Sequence, residues 1–219
     1  MTHEGSLELS EVVVMRHSLL MEQLRVLRDR STSIEAFQTA MADASFLLAA
    51  DAYRDLPLST AAIETPLCPC EVPALAGPAP ALVPILRAGL GLVPGFRRLL
   101  PRTVVGHLGI YRSESTLKPV EYFGKLPDGL AERRTFVLDP MLATGGSADA
   151  ALRHLKAAGA RDLELVVLIA APEGIEALER SHPDVRLRVG VVDEGLDARG
   201  FIVPGLGDAG DRQFGTEGA

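Results

Sequence analysis

The segment Phe136-Val137-Leu138-Asp139-Pro140-Met141-Leu142-Ala143-Thr144-Gly145-Gly146-Ser147 indicates both a fold class and a ligand. An apolar run ends at a carboxylate, and a loop of small and hydroxyl-bearing residues leads to a helix expected from about Ala148. Glycines let backbone N–H groups approach an anion closely, Thr144 and Ser147 add hydroxyl donors, and the helix presents its positive N-terminal end. This order of strand, loop and helix predicts a phosphate pocket.

The loop is not a Walker loop, because the chain has no G-x-x-x-x-G-K-[ST] and the loop has no lysine. The carboxylate that precedes it suggests a second role. Asp139 could bind ribose hydroxyls or the hydration shell of a magnesium ion. A phosphorylated sugar is therefore the expected ligand.

The composition is that of an ordinary globular protein, with 47% hydrophobic and 23% charged residues in a chain of 219. The net charge of −7 and the lack of a long Lys/Arg tract disfavour a nucleic-acid partner. Aromatic residues amount to 5% and tryptophan is absent, so a base-stacking platform is also disfavoured.

We expect no membrane partner and a cytoplasmic location. No apolar run approaches the roughly 20 residues needed to span a bilayer, and Met1-Thr2-His3-Glu4 lacks the basic region of a signal peptide. Cys68 and Cys70 form C-P-C without a nearby histidine, so two reduced thiols are favoured over a zinc site.

Apolar patterning predicts an α/β fold, a mostly parallel sheet flanked by helices. Residues 1–219 are expected to form one domain, with a helical part at 1–56, an irregular proline-rich segment with a small hairpin at 57–80, and a core at 81–215. Strands are expected at 11–14, 81–86, 103–111, 136–138, 163–170 and 185–192. Helices are expected at 17–30, 33–53, 91–100, 148–158 and 174–181.

Polar loops follow four of these strands, and in a parallel sheet such loops meet at the carboxyl edge, where ligands bind. Arg87 ends the second strand beside Gly89, where a guanidinium suits phosphate oxygens and a glycine would allow a diphosphate to approach. Residues 112–125 form a polar excursion typical of a lid, in which Arg112 is a better ligand candidate than Lys118.

The last polar stretch, residues 200–211, contains Gly205, Gly207 and Gly210, which would expose backbone groups to a flat polar ligand such as a nucleobase. By itself this stretch does not identify a base. The pair Asp193-Glu194 is interpreted as loop solvation or capping, and the single histidines as structural.

Together the four loops resemble the uracil phosphoribosyltransferase family, a branch of the type I phosphoribosyltransferases. The resemblance runs from the N-terminal helices to Gly215. Its most specific pieces are P-I-L-R-A-G-L-G at 84–91, D-P-M-L-A-T-G-G-S at 139–147, A-A-P-E-G-I at 170–175 and I-V-P-G-L-G-D-A-G-D at 202–211. The last piece separates the uracil enzymes from other phosphoribosyltransferases.

The resemblance implies transfer of the 5-phosphoribosyl group from 5-phosphoribosyl 1-diphosphate (PRPP) to uracil, giving uridine 5′-monophosphate (UMP) and diphosphate, with Mg²⁺ assisting. It implies that Arg87 and Arg112 contact the diphosphate and that Asp208 faces the donor, through Mg²⁺ or a metal-bound water. The residues implied for the ribose and 5′-phosphate are Asp139, Pro140, Met141, Leu142, Ala143, Thr144, Gly145, Gly146 and Ser147. Those implied for uracil are Ile202, Gly207, Asp208 and Ala209.

Many relatives have two adjacent acids before the phosphate loop, whereas here Leu138 precedes Asp139, as is general in the uracil branch. The implied catalytic set is Arg87, Arg112 and Asp139, acting without a protein nucleophile. The family further implies a homo-oligomer, a dimer or larger, and GTP activates some members.

Two other interpretations of the sequence stay open at this point. A purine or orotate phosphoribosyltransferase shares the donor loops, although the stretch at 202–211 argues against it. A non-catalytic, RNA-binding regulator that kept the fold is opposed by the acidic charge.

Overall fold

The computed structural model describes residues 12–112 and 119–216. The strands are β1 (Val12–Val14), β2 (Leu58–Glu64), β3 (Pro69–Leu75), β4 (Ala81–Leu86), β5 (Val104–Val105), β6 (His107–Arg112), β7 (Pro119–Lys125), β8 (Arg134–Leu138), β9 (Met141–Leu142), β10 (Asp162–Ala170), β11 (Arg186–Val192), β12 (Gly195–Leu196) and β13 (Ile202–Val203). The helices are α1 (Ser18–Arg28), α2 (Ile34–Ala52), α3 (Val93–Leu99), α4 (Gly146–Ala157), α5 (Pro172–Ser181) and α6 (Ala209–Phe214). None of these helices is long and apolar enough to cross a membrane.

Parallel strands dominate the central sheet, whose order is β1-β11-β10-β8-β4-β6-β7. Each neighbouring pair is parallel except β6 and β7, while the short β5 and β9 pair parallel with β4 and β10. The expected fold class, a mostly parallel sheet flanked by helices, is confirmed.

Both faces of the sheet are buried. Successive side chains of a strand point to opposite faces, so each strand contributes to both cores. In β10, Val166 and Leu168 belong to the core beneath α1 and α2, whereas Leu165 and Val167 belong to the core beneath α4 and α5. These four side chains are fully buried. The strands therefore read as near-continuous apolar runs, as expected of a sheet covered on two faces.

The structure differs from the sequence expectation in several elements. The hairpin expected within 57–80 is longer than predicted, since β2 and β3 pair over seven residues each, so this segment is largely regular. The second half of the polar excursion is a strand, β7, paired antiparallel with β6. The strand expected at 103–111 is broken at Gly106, where a Cβ would lie 2.8 Å from Pro127 Cδ.

Helix boundaries also differ. Helix α4 begins at Gly146, two residues before the expected start, because Gly145 occupies the left-handed N-cap position. A 3₁₀ helix, Ala88–Leu92, precedes α3 where a single helix was expected. Helix α6 was missed, since its six residues are too few to show a helical period.

A histidine network ties α4 to the turn after α5. The His182 ring is 4% exposed, with Nε2 3.0 Å from Asp149 Oδ1 and Nδ1 3.0 Å from Lys156 Nζ. Because an ammonium only donates, Nδ1 accepts from Lys156 and Nε2–H donates to Asp149. Lys156 also donates to Asp184 at 2.6 Å. The neutral imidazole thus fits this site.

Acidification should destabilise the protein through His182. Burial, together with the charge of Lys156, lowers the pKa of His182 below 6.5, although Asp149 and Asp184 oppose the shift. The unfolded chain therefore takes up the proton first, so the stability contributed by neutral His182 is complete above pH about 6.5 and is lost as pH falls through the folded-state pKa. Urea unfolding of the wild type and of His182→Gln between pH 8 and 5 measures this, and the stability gap between them should shrink on acidification. A constant gap contradicts the assignment.

Candidate active site at the carboxyl edge of the sheet

Two adjoining pockets open at the carboxyl edge of the sheet, and Asp139 and Ser147 line both. The first, of about 330 Å³, is bounded by the end of β4, by Arg87 and by Asp208 at the start of α6. The second, of about 150 Å³, is enclosed by residues 141–148 and Gly200. Three of the four strand-end loops predicted to converge meet here, namely those that follow β4, β8 and β11. The fourth begins at Arg112 and continues outside the described residues.

The phosphate loop, residues 139–147, is fixed by the neighbouring strand and helix. The Pro140 carbonyl accepts from the Leu168 and Ile169 amides at 3.1 and 3.0 Å. Gly174 of α5 lies beneath the loop, where an added Cβ would be 2.4 Å from the Ala143 carbonyl oxygen. Gly145 has φ +83°, which turns the chain into the first turn of α4. The loop therefore presents the N-terminus of a 12-residue helix to the second pocket.

Asp139 is partly buried between the two pockets, and its Oδ1 accepts from the Met141 amide at 3.3 Å. Burial raises the pKa of Asp139 to about 7, helped by the negative charge of Asp208 and opposed by the Met141 hydrogen bond. Asp208 itself caps α6, since its Oδ1 accepts from the Asp211 amide at 2.9 Å. The two carboxylates therefore face a shared space that suits a cation.

Arg87 follows β4 after a cis Leu86–Arg87 peptide, and its side chain is half exposed. Its guanidinium donates to Asp211 Oδ1 and Thr216 Oγ1, both at 2.9 Å. The Thr216 hydroxyl and Arg87 together lower the pKa of Asp211. An ion pair with Asp211 thus holds the Arg87 side chain at the rim of the first pocket.

Gly89 has a different role from the one expected. Its added Cβ would lie 2.3 Å from the Leu138 carbonyl oxygen, and the residue is buried. It therefore allows the β4 loop to pack against β8, rather than facing a ligand.

The residues predicted to bind uracil divide into exposed and buried ones. Gly207 and Asp208 are exposed, and Asp208 lines the first pocket. Ile202 and Ala209 are 5% and 3% exposed and belong to the core beneath α1 and α2. Their buried side chains thus anchor residues 202–209 to that core. Gly205 is buried too, which corrects the expectation that it exposes its backbone groups.

Arg112 ends β6 at the same edge of the sheet, but its side chain and all of Lys118 lie outside the described part of the chain.

Tyr122 is the main pocket residue that sequence reasoning missed. It lines the first pocket from β7, and its ring lies over Gly109 of β6, where a Cβ would be 2.6 Å from Tyr122 Cζ. A glycine opposite an aromatic residue in a hairpin is the signal that could have revealed it. Ile85 and Ile110 also line this pocket, near the ends of β4 and β6.

A metal ion at these pockets would need ligands beyond the described carboxylates. Among the described residues there is no group of three or more His, Cys, Asp or Glu side chains that could hold one. Asp139 and Asp208 fit Mg²⁺ in the manner common at phosphate sites, in which one or two carboxylates act with substrate phosphates and water.

The fold is that of the phosphoribosyltransferases. The chain superposes on the adenine phosphoribosyltransferases of Leishmania donovani and Trypanosoma brucei with TM-scores of 0.52 and 0.53, at 18% and 12% identity. These matches cover 90% and 84% of the chain, and 89% and 83% of those chains. A much closer structural match is the AQ2163 protein of Aquifex aeolicus, with a TM-score of 0.90 and 36% identity over 95% of this chain and 100% of that one.

The chain belongs to the uracil phosphoribosyltransferase family, whose model matches residues 14–216. Proteins named uracil phosphoribosyltransferase from Clostridium perfringens strain SM101 and Brevibacillus brevis are each 50% identical over 209 residues, which cover 95% of this chain and 100% of theirs. The relative of the same name from Thermoanaerobacter sp. strain X514 is 50% identical over 94% of this chain and 98% of its own.

The raised pKa of Asp139 gives a direct test of the site geometry. Replacing Asp208 with Asn removes the negative charge that helps burial to raise this pKa. The Asp139 pKa should therefore fall from about 7, while the increase caused by burial remains. Carboxyl ¹³C NMR titration measures the pKa, and Asp208→Glu is the control that keeps the charge. An Asp139 pKa that is unchanged in Asp208→Asn would show that the two carboxylates do not interact.

Proposed function

We propose that the protein transfers the 5-phosphoribosyl group of PRPP to uracil and releases UMP and diphosphate, a reaction of pyrimidine salvage. Family membership over residues 14–216 supports this activity. The observation that carries it to particular residues is the pair of adjoining pockets that share Asp139 and Ser147. One pocket suits a terminal phosphate, and the other has room for a sugar, a diphosphate and a base.

The 5′-phosphate is assigned to the second pocket, with the residues 139–147 as its binding loop. Backbone N–H groups at the start of α4 have no partner within the helix, and the helix dipole favours an anion there by about 0.3–1 kcal/mol. The Thr144 and Ser147 hydroxyls add donors. Asp139 lines both pockets, which supports its assignment to the ribose hydroxyls.

The diphosphate is assigned to Arg87 and Arg112. Arg87 lies at the rim of the first pocket in contact with Asp211. A diphosphate carries more negative charge than one carboxylate, so it competes for this guanidinium through bidentate hydrogen bonds. Arg112 follows the neighbouring strand β6 and is assigned to the same anion by its motif.

Uracil is assigned to the stretch of Ile202, Gly207, Asp208 and Ala209. The exposed backbone at Gly207 and Asp208 supplies hydrogen-bonding groups for the flat ring, and the buried Ile202 and Ala209 keep that backbone in place. Tyr122, across the first pocket, provides an aromatic wall.

Mg²⁺ is the proposed cofactor, with Asp208 as its main protein contact, directly or through water, and Asp139 nearby. When bound, the ion supplies positive charge to the diphosphate oxygens. The two carboxylates, which line the first pocket together, support a cation at this place.

The mechanism requires no protein nucleophile. The bond between C1′ and the diphosphate breaks through an oxocarbenium-like state while a uracil nitrogen attacks C1′ and loses its proton to solvent. The protein contributes by holding donor and acceptor in line, which is worth up to about 7–11 kcal/mol in favourable cases. Arg87 and Arg112 stabilise the negative charge that develops on the leaving diphosphate.

The proposed activity is tested by supplying labelled uracil, PRPP and Mg²⁺ and measuring UMP. Hypoxanthine and orotate are the competing acceptors. Product from either of them without UMP overturns the choice of uracil, and tight RNA binding without turnover of any base would indicate a regulator instead.

GTP activation and a homo-oligomer stay predictions from the family resemblance. The hairpin of β2 and β3 supports an interface between subunits, because Leu58, Ile63 and Leu67 on it are 64%, 44% and 94% exposed.

Replacing Asp139 with Asn should lower kcat about a hundredfold, by removing the carboxylate that faces the ribose and the cation. The folded-state pKa of about 7 lies above the usual 3.8, so ionised Asp139 costs stability at pH 8, and Asn should leave the melting temperature unchanged or raise it. Steady-state kinetics and thermal unfolding at pH 8 measure both effects. Asp128→Asn, in an exposed turn, is the matched control, and a folded Asp139→Asn enzyme with normal kcat removes Asp139 from the mechanism.

A further inference from the structure

The N-terminal helices hold the acceptor loop, defined here as residues 203–208. Gly205, in its centre, has both backbone polar groups bound by side chains. Its amide donates to Asp193 Oδ2 at 3.0 Å, and its carbonyl accepts from Arg28 Nη1 at 2.9 Å. Arg28 comes from the last turn of α1, and Asp193 directly follows β11.

Arg28 and Asp193 are also bound to each other through both terminal nitrogens of the Arg28 guanidinium. Nη2 contacts Asp193 Oδ1 at 2.5 Å, and Nη1 contacts Oδ2 at 2.9 Å. The Asp193 side chain is 4% exposed and that of Arg28 is 25% exposed. A bidentate, largely desolvated pair of this kind is geometrically specific, so it fixes the peptide groups that it binds. Gly205 itself has φ +60°, and its added Cβ would meet the Ile202 carbonyl oxygen at 2.2 Å.

Arg212 of α6 makes a second connection between α1 and the acceptor loop. Its Nη1 donates to the Leu206 carbonyl at 2.8 Å and also to the Leu27 carbonyl, while Nη2 donates to the Asp29 carbonyl at 2.6 Å. The guanidinium lies 4.5 Å from the centre of the Phe37 ring. Arg212 thereby satisfies carbonyls at the C-terminus of α1 that the helix leaves without a partner.

The two halves of the acceptor loop therefore differ in exposure. Gly205 and Leu206 are buried and bound through their backbones, whereas Gly207 and Asp208, the next two residues, are exposed, and Asp208 lines the first pocket. A short peptide anchored on one side by two arginines, and on the other by the Asp208 cap of α6, can present its backbone groups in one orientation. Such preorganisation is what recognition of a flat, rigid base requires.

We propose that Arg28, Asp193 and Arg212 are positioning residues for the pyrimidine acceptor. They touch the backbone of the acceptor loop and act on the base through it. This inference rests on the proposed function, which assigns uracil to this loop. It gives the N-terminal helix α1 a part in substrate recognition.

Loss of the Arg28–Asp193 pair should weaken uracil recognition selectively. In Arg28→Ala and in Asp193→Ala, KM for uracil should rise about tenfold, the effect of losing a charge-assisted hydrogen bond, while KM for PRPP stays within about twofold. Because the two side chains act as a unit, the double variant should raise KM for uracil no further than either single variant. Arg28→Lys keeps the charge but not the bidentate geometry, and should give an intermediate KM.

The controls separate positioning from general destabilisation. Arg25→Ala removes a cation from the same last turn of α1, where Arg25 pairs with the exposed Glu22, and should leave both KM values unchanged. Leu155→Ala lowers stability from the core on the opposite face of the sheet. The proposal is overturned if Arg28→Ala and Arg28→Lys leave KM for uracil unchanged, or if they raise both KM values in parallel, as a loosely folded Leu155→Ala enzyme would.

Failure of the assignment that underlies the proposal would look different. If Gly207→Ala leaves KM for uracil unchanged, the acceptor loop does not bind the base, whatever Arg28 does. If Gly207→Ala raises that KM and the Arg28 variants do not, the loop binds uracil without needing α1.

Discussion

Parallel pairing of β4, β8 and β10 is the constraint on which the site depends. Their register aligns Pro84 with Leu138, and Leu138 in turn with Val166, so the loops that follow β4 and β8 leave the sheet at one edge. Burial on both faces holds this register, because a slip by one residue would exchange the side chains of the two cores. Hydrophobic packing in the two cores therefore positions the Arg87 and Asp139 loops.

Backbone contacts then refine what the sheet has placed. Gly89 brings the β4 loop against the carbonyl of Leu138, and Gly174 brings α5 beneath the phosphate loop. Both glycines serve protein packing close to the pockets. The donors and carboxylates of the two pockets, above all the partly buried Asp139 with its pKa of about 7, are held in place by this packing.

The donor side of the site could be predicted from sequence, because its signals are local. Asp139, Thr144, Gly145 and Ser147 lie within one strand, loop and helix start, and the spacing alone indicates a phosphate pocket. The acceptor side could be named only through the family resemblance. Its structure depends on Arg28 and Asp193, which are separated by 165 residues, and no periodicity links them. Strand β7 was missed for another reason, since Tyr122 and Phe123 follow a polar stretch and are themselves exposed.

The link between α1 and the acceptor loop joins the two ends of the chain. Arg28 and Gly205 are 177 residues apart, and Asp29 and Arg212 are 183 apart. On a ribosome, which makes the N-terminus first, α1 and the phosphate loop are synthesised well before the segment that completes the acceptor side. A nascent chain thus contains α1 and the phosphate loop early, but Gly200, which lines the second pocket, and the acceptor loop with its anchor Arg212 follow only about 50 residues later.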